Sequence, residues 1–493
     1  MIKKILLLTF CPFLMAYNIN FNYSESSYLT NEIHFIKKEE ISGALFLFPN
    51  VYNDSSHNYF DLLGNNERVS IYPVFGVRYG SGSFETFQDE TPSDLLWITP
   101  GFEIDFIQPI SISFFDTGIS LQGWARFNKH SAYGFNGNIP NKDLILFEYN
   151  PDYSFEFYAN SQTPDNGIDF DEGEGAISLN SPWLDIIFGK FRSNIGPFLG
   201  GNLSISNKAP GFPQIQLRTK SDKIDFTFII GELYSDLFSE VETGTGIASV
   251  KRKRYIINHR IDYKIKKNFR VGLYEQVIVG DNLSLSYMIP VIPFWSAQHS
   301  LGDTDNLQIG FDMEYVKSKN RFYMALIIDE WAPYDTFNSD HHNWFGGQFG
   351  YSRLISDRSL FKIEYTKIEP QVYTHDIDIN EPFHYNYPIG FWSGGDSEDI
   401  FLKIVFKLKK MKDLEFDFRH TNIGSPGYDT DADFLSGNIQ SRSIVSLKMS
   451  KKVQTNIGPI NCMARVQRIN TKNLYDIESF MDCQISLLYN INY

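Results

Sequence analysis

The sequence predicts an all-β fold: a transmembrane, antiparallel, up-and-down β-barrel of about 18 strands, within a range of 16 to 20. Three observations predict it. The N-terminus has the form of an export signal, candidate strands alternate between apolar and polar residues, and connections alternate between short and long. The chain has 493 residues, enough for one very large barrel or for two or three ordinary domains.

The first residues have the form of a cleavable signal peptide. Lys3 and Lys4 supply positive charge, and an apolar stretch over residues 5–15 ends at Ala16. That stretch is too short to cross a membrane as a helix, although an uncleaved anchor remains the alternative. The expected organisation is a signal peptide at 1–16, a periplasmic or plug-like segment at 17–67 with at most one helix near 27–40, and the barrel at 68–493.

Composition excludes several classes of protein. No stretch after the N-terminus approaches the roughly 20 apolar residues of a membrane helix, which rules out a helical membrane protein. The net charge of -15 argues against a nucleic-acid partner, because phosphates require a basic surface. Three cysteines are too few for a disulfide-rich domain or a four-thiolate zinc site. Aromatic residues make up 16% of the chain, a high share that suits a barrel in lipid.

The C-terminal segment is the clearest candidate strand. Apolar residues occupy every second position from Met481 to Tyr493, and mostly polar residues lie between them. Such a strand fits lipid on one face and a polar lumen on the other. The same alternation occurs over 257–263, 309–315 and 414–419. A soluble sandwich would also alternate, but the export signal and the aromatic excess favour the barrel.

Connection lengths give the topology. Bacterial barrels keep short turns in the periplasm and long loops outside, so all long connections are expected at the cell surface. The short, mostly basic connections are 220–223, 266–268, 317–320, 409–412 and 451–452. The long ones are 190–212, 234–252, 280–306, 331–343, 369–398 and 421–440.

A register prediction follows for the last hairpin. If its turn is centred between Lys472 and Asn473, Cys462 lies opposite Cys483 and both face lipid. Directly opposed residues are close enough for a disulfide, and a free thiol pair is the alternative.

The long loops divide into two chemical types. Loops 280–306, 331–343, 369–398 and 421–440 contain acids and aromatic rings but no Lys or Arg. Carboxylates and amides suit sugar hydroxyls or a calcium ion, and rings offer flat faces for stacking; acidity for solubility alone is the alternative. Segment 189–219 is the reverse, with four basic residues and no acid.

That basic segment carries the first part of a family resemblance. Its blocks are Gly189-Lys190-Phe191-Arg192, Gly196-Pro197, 203–209 and Phe212-Pro213. Later blocks are 301–306 with Gly310 and Asp312, then 364–366, Pro370, 373–375, 388–390 and 394–396. In order and spacing they resemble the Wzi-type capsule-assembly family over about 70–490.

The resemblance implies an outer-membrane barrel of eighteen strands that binds surface polysaccharide and helps attach capsule to the bacterial cell. The chain departs from the family pattern in two places. Only about fifty residues precede the first strand, where the best-known members carry a helical bundle, and Ser193-Asn194-Ile195 stands where a Trp often precedes the Gly-Pro. The polysaccharide bound here therefore need not be the same one, and it need not be a capsule.

Candidate site residues come from these loops. Arg192 and Lys208 would meet carboxylates of an acidic polysaccharide, bidentately in the case of Arg192. Asn207 would hydrogen-bond sugar hydroxyls or instead tie its loop to the barrel wall. The rings expected to stack on sugars are Tyr385, Tyr387 and Trp392. The family-motif residues expected to be structural are Gly196, Pro197, Ser206, Asp303, Asp305, Asn306 and Asp312.

Three functions remain open: a polysaccharide-binding anchor, a porin or carbohydrate-uptake channel, and an outer-membrane hydrolase. No catalytic motif is present, so no enzyme activity is expected. No cofactor is expected either, with calcium at Asp303, Asp305 and Asn306 as the alternative. The expected partners are capsular or other surface polysaccharide and outer-membrane lipid or lipopolysaccharide, with no nucleic acid, and the protein is expected to be a monomer.

Overall fold

A computed structural model describes most of the chain. The described residues are 22–41, 68–82, 94–112, 115–133, 167–181, 183–244, 246–302, 304–329, 344–385, 387–408, 412–425, 433–455, 458–472, 477–489 and 491–492. The expected signal peptide, Asp303 and loop 331–343 lie outside them.

Within these residues, eighteen strands pair antiparallel in chain order and close into one barrel, as the sequence predicts. The wall consists of β1 (Arg68–Gly82), β2 (Asp94–Ile112), β3 (Phe115–Tyr133), β4 (Gly167–Asn180), β5 (Leu184–Phe191), β6 (Phe212–Thr219), β7 (Ile224–Thr243), β8 (Gly246–Lys266), β9 (Phe269–Gly280), β10 (Asn306–Lys317), β11 (Asn320–Asp329), β12 (Trp344–Ser356), β13 (Ser359–Ile368), β16 (Ser397–Leu408), β17 (Lys412–Ile423), β18 (Gln440–Thr455), β19 (Gly458–Lys472) and β20 (Ile477–Tyr489).

The remaining elements are short. A small hairpin in the loop after β13 consists of β14 (Phe383–His384) and β15 (Tyr387–Pro388), and β21 (Ile491–Asn492) continues β20 along β1. Helical segments are Asn22–Lys38, Phe294–Leu301, and the 3-10 turns Leu285–Met288 and Asp378–Asn380. None of the helices in the described part of the chain has the length and apolar character to cross a membrane.

The two faces of the wall are those that the alternation predicts. On β8, Arg260 and Asp262 are fully buried in the lumen, whereas Ile261 and Tyr263 are 49% and 47% exposed on the outside. On β10, Asp312 and Glu314 face inward in the same way. An apolar outer face and a charged lumen are the pattern of a barrel that lies in lipid.

Two predicted connections are wrong. Residues 234–252 are not a loop, because β7 and β8 stay paired out to Thr243 and Gly246 as a long hairpin, with a register shift between Tyr234 and Phe238. Lys451 and Lys452 are not a turn, because β18 continues to Thr455. In both cases a polar segment belongs to a strand that continues toward the end of the barrel. Composition alone does not distinguish such a strand end from a turn.

The register predicted for the last hairpin is also wrong. Cys462 lies opposite Leu487, and Cys483 lies opposite Val466, a shift of four residues along the strand. The connection covers residues 473–476, so its centre lies further along the chain than the sequence suggested. Neither cysteine forms a disulfide; Cys483 is exposed on the outer face and Cys462 is half-buried.

Replacing Ile485 with Arg should destabilise the barrel by about 2–4 kcal/mol, because it places a charge on the lipid face. Ile485 is 37% exposed, while its neighbour Gln484 is 4% exposed and points into the lumen. Gln484→Arg is the matched control and should cost far less. The measurement is the free energy of unfolding in lipid vesicles from denaturant titration. Equal losses at the two positions would contradict the assigned faces.

The helix Asn22–Lys38 lies inside the barrel, at the end that carries the short turns, and packs against the wall there. Tyr28, Glu32 and Ile36 are buried, and the Glu32 carboxylate accepts from Arg321 at 2.7 Å and from Lys362 at 2.9 Å on the wall. The chain following the helix is tied to the short turns: the Ser318 amide donates to Glu39 and the Ile41 amide donates to the Lys267 carbonyl. The helix is therefore attached at the end of the barrel that carries the short turns.

Candidate functional site

The segment between β5 and β6, residues 192–211, folds into the lumen; we call it the inward loop. All its residues are buried except Lys208, which is half-buried. Phe191 and Phe212, which flank it, are cross-strand partners, so the loop leaves the wall and returns at a single point. The prediction that this segment lies at the cell surface is wrong, because its residues are buried inside the barrel.

A polar cage shapes the inward loop. Asn202 binds both main-chain groups of Phe198, accepting from its amide at 3.0 Å and donating to its carbonyl at 3.1 Å, and it donates to Asn194 at 2.9 Å. Gly196 has a φ of +135°, and a Cβ there would lie 2.3 Å from the Asn202 Oδ1. Only glycine fits that position, which is the structural role expected for the Gly196-Pro197 pair.

The tip of the inward loop is fixed to wall residues. The amides of Leu199 and Gly200 donate to Glu364 at 3.0 and 2.7 Å, and Arg419 donates to the Gly200 carbonyl at 2.9 Å. The carbonyl of Pro197 accepts from Arg321 at 3.0 Å and from the Tyr28 hydroxyl of the N-terminal helix. The inward loop and the helix therefore meet inside the barrel.

The Arg192 side chain forms ion pairs and a hydrogen bond with other residues inside the protein. Its guanidinium pairs with Glu172 at 3.1 Å and Glu174 at 3.2 Å and donates to the Ala209 carbonyl at 2.9 Å. Its side chain is 2% exposed. The carboxylates that it meets here belong to β4, and the Ala209 contact closes the base of the inward loop. Asn207 is buried, and its main-chain amide donates to the side-chain oxygen of Asn194 within the same loop.

A second segment, residues 369–396, covers the inward loop from outside; we call it the capping loop. The Tyr373 hydroxyl donates to the Leu203 carbonyl at 2.7 Å, and the Ser206 amide donates to the Ile389 carbonyl at 2.7 Å. Trp392 is buried, with the Arg419 guanidinium 5.3 Å from its ring centroid. Trp392 therefore lies beneath the surface and is separated from Tyr385 and Tyr387, the other two rings predicted to stack on sugars.

Tyr385 and Tyr387 lie at the rim, half-buried, on either side of the tip of the β14–β15 hairpin. The Tyr385 amide donates to the Tyr234 carbonyl at 2.6 Å, and the two rings lie 5.7 Å apart. The Lys251 ammonium lies 5.5 Å from the Tyr385 ring centroid. We call Tyr234, Lys251, Tyr385 and Tyr387 the rim site, and we add Lys208 of the inward loop to it as a prediction. Sequence reasoning missed Tyr234 and Lys251, because it assigned their segment to a loop.

A titratable carboxyl lies close to the rim site. Burial raises the pKa of Glu381 to about 7, although the nearby Arg254 opposes this. The Glu381 carbonyl accepts from Arg254, which joins the capping loop to β8. This part of the capping loop therefore changes charge near neutral pH.

The family-motif residues at the start of β10 form hydrogen bonds or ion pairs with other residues of the protein. Asp305 accepts from the Tyr287 hydroxyl at 2.7 Å, Asn306 donates to the Thr374 carbonyl at 3.4 Å, and Asp312 pairs with Arg260 in the lumen at 2.5 Å. Burial raises the pKa of Asp305. Among the described residues, no group of three or more His, Cys, Asp or Glu side chains is placed to hold a metal ion. The expectation that no cofactor is bound, with calcium as the alternative, stays untested.

The lumen wall carries a continuous network of buried ion pairs that the sequence did not reveal as a unit. Alternation shows that these residues face inward but not which of them meet. Arg260 pairs with Asp262, and Arg270 joins Asp262 to Glu314. The network continues through Arg321, Glu32, Lys362 and Glu364.

Eighteen strands, an apolar outer face, a charged lumen and short turns at one end define an outer-membrane β-barrel, here one that holds a loop and a helix of its own chain in the lumen. A family model for the capsule assembly protein Wzi matches residues 122–478. The match covers most of the chain, and the chain belongs to this family. The resemblance found in the sequence and the outer-membrane location are confirmed.

Two solved structures share the fold. One is Wzi from Escherichia coli, an outer-membrane protein involved in group 1 capsule assembly and a carbohydrate-binding β-barrel. It is 10% identical, with a TM-score of 0.50, over 96% of this chain and 95% of that one. The other is OccAB4 from Acinetobacter baumannii, 11% identical with a TM-score of 0.51, over 87% of this chain and 99% of that one. None of the curated proteins compared with the chain matches it.

Proposed function

We propose that this barrel is a monomeric anchor that binds surface polysaccharide, capsular or other, at its rim site and helps to attach or assemble capsule, without catalysis and without a channel function. One observation carries the proposal. The inward loop and the N-terminal helix occupy the lumen from opposite ends and meet at Pro197. A closed barrel leaves its outer rim as the surface on which a long polymer can be held.

The chemistry of the rim site suits an acidic polysaccharide. Tyr385 and Tyr387 offer ring faces for sugars, and Tyr234 extends this surface along the wall. Lys208 and Lys251 supply the cations that meet sugar carboxylates. Arg192 then acts as a positioning residue, because its pairs with Glu172 and Glu174 hold the base of the inward loop and with it Lys208.

The channel alternative has weaker support. The likeness to OccAB4 concerns the fold alone, at 11% identity. A conducting path would have to pass the buried inward loop and the ion pairs that join Glu32 to Arg321 and Lys362.

Lys208→Ala with Tyr385→Ala should weaken polysaccharide binding about tenfold or more, because stacking and a hydrogen bond to a charged group each contribute about 1 kcal/mol or more. The measurement is binding of the purified barrel to a glycan array, together with retention of polysaccharide on cells. Barrel abundance and heat-modifiable gel migration should be unchanged.

The matched control removes a Lys and an aromatic ring from elsewhere on the barrel. Lys367 of β13 lies 4.0 Å from the ring centroid of Phe434, which belongs to the connection between β17 and β18. Lys367→Ala with Phe434→Ala should leave binding intact. Equal losses in the two double variants, or unchanged retention in the first, would exclude the rim site and reopen the channel alternative.

A further inference from the structure

The segment 283–301, between β9 and β10, lies against the outside of the barrel; we call it the strap. Tyr287, Phe294 and Ala297 of the strap pack in one cluster with Ile257 and Val277 of the wall. Ile257 and Val277 alternate with the lumen-facing Asn258 and Gln276, which hydrogen-bond within the barrel. The strap is therefore on the outer face, although the sequence predicted only a surface loop there.

Polar contacts fix the strap at a defined place. His259 and Glu275, both on the outer face, lie 2.9 Å apart, and the Phe294 amide donates to Glu275 at 2.7 Å. The Pro290 carbonyl lies 3.2 Å from the His259 Nδ1, and the Phe294 ring stacks on the His259 ring with 4.1 Å between centroids. Charged or polar groups on a lipid face are costly, and the strap covers these two.

The position of His259 sets the depth of the strap. It lies eight residues above the periplasmic turn at 267–268. At about 3.3 Å per residue and a tilt near 40°, that is about 20 Å above the turn, within an apolar band about 25 Å tall. The covered wall is therefore at the level of the outer leaflet.

The other side of the strap is apolar. Val291 and Leu285 are 81% and 76% exposed, and no Asp, Glu, Lys or Arg occurs from 283 to 301. Further exposed apolar residues of the strap are Met288, Ile289, Trp295 and Leu301. The surface continues downward into the lipid-facing Ile261 and Leu273 of the same wall. A contiguous apolar surface of this kind marks an interaction site.

We propose that the strap is immersed in the outer leaflet and that acyl chains of membrane lipid cover its exposed side. Three observations favour lipid over a protein partner: continuity with the lipid-facing wall, absence of charge, and Trp295, an amphipathic ring of the type that lies at membrane interfaces. The strap thus gives the barrel a lipid contact beyond its strands, and this inference does not depend on the polysaccharide proposal.

The test places a fluorophore at single cysteines in a Cys462→Ser, Cys483→Ser background. Val291→Cys reports on the strap, Ile261→Cys on the lipid-facing wall, and Ser249→Cys on the exposed β7–β8 hairpin. Each labelled barrel is reconstituted in vesicles of phosphatidylcholine with ordinary or brominated acyl chains. Quenching by bromine requires contact with the chains.

We expect label at 291 to be quenched by brominated lipid to at least half the extent seen at 261, and label at 249 to be unaffected. Iodide in the water phase should give the opposite order. A label at 291 that behaves like the one at 249 would overturn the proposal. Disulfide-linked dimers through unlabelled Val291→Cys in membranes, with no lipid quenching, would do so too and would point to a second copy of the chain.

Discussion

Replacing residues 192–211 with an Asn-Gly turn, together with deletion of residues 22–41, should convert a closed barrel into a conducting pore. Phe191 and Phe212 are directly opposed partners on β5 and β6, so a two-residue turn joins these strands without strain. The wall of eighteen strands stays complete, and barrels of this size enclose an aqueous channel when nothing fills them.

Each deletion alone should open the barrel much less than the two together. Glu32 holds the helix at the end that carries the short turns, and contacts of Leu199, Gly200 and Pro197 hold the inward loop in the lumen above it. Conductance in planar bilayers is the measurement, and we expect at least about a tenfold rise for the double deletion. Steady conductance by the intact chain at the level of the double deletion would contradict the closed lumen and support the channel alternative.

Period-two alternation, together with the export signal and the aromatic excess, predicted the barrel, and it predicted the face of the strands in which it was found. Ile261 and Ile485 face outward, and Arg260 and Gln484 face inward, because side-chain direction is a local property of a strand. Register is not local, since it depends on the length of each turn. The predicted pairing of Cys462 with Cys483 failed for that reason.

The sequence alone did not predict where the loops lie, and the physical reason differs from the one that applies to the register. A basic segment without acids suggested a surface that attracts anions, yet the anions that Arg192 meets are Glu172 and Glu174 of the wall. Both carboxylates lie on the lumen face of β4, where alternation places them. The opposite charges of the inward loop and of the lumen wall are therefore both present in the sequence. The sequence alone does not show whether the anionic partner of the inward loop lies inside or outside the protein.

The same reasoning applies to the aromatic residues of the capping loop. Trp392 and Tyr385 are seven residues apart and chemically similar, yet one packs against Arg419 beneath the surface and the other lies at the rim. Their separation is produced by contacts distant in sequence, chiefly that of Tyr373 with Leu203 and that of Ser206 with Ile389. A ring that stacks on sugar and a ring that holds a loop in place have the same local signature.

Arg321→Met should cost about 3–5 kcal/mol of stability, because it leaves buried carboxylates without their main partner. Arg321 contacts Glu32 of the N-terminal helix at 2.7 Å, Glu314 at 2.7 Å and the Pro197 carbonyl at 3.0 Å, so one side chain joins the helix, the wall and the inward loop. The measurement is the free energy of unfolding in lipid vesicles from denaturant titration.

Protease cleavage at Lys37 and Lys38, both exposed at the end of the helix, gives a second measurement and should become faster in Arg321→Met, because the helix loses its strongest link to the lumen. Arg353→Met is the control: Arg353 is exposed, and its loss should change stability by about 0.5 kcal/mol or less. Adding Glu32→Gln and Glu314→Gln to Arg321→Met should restore part of the loss, since the groups left behind are then neutral. If Arg321→Met and Arg353→Met have equal effects, then Arg321 does not hold the helix in the lumen, and the closure of the periplasmic end must depend on Lys362 and the apolar contacts of Tyr28 and Ile36 instead.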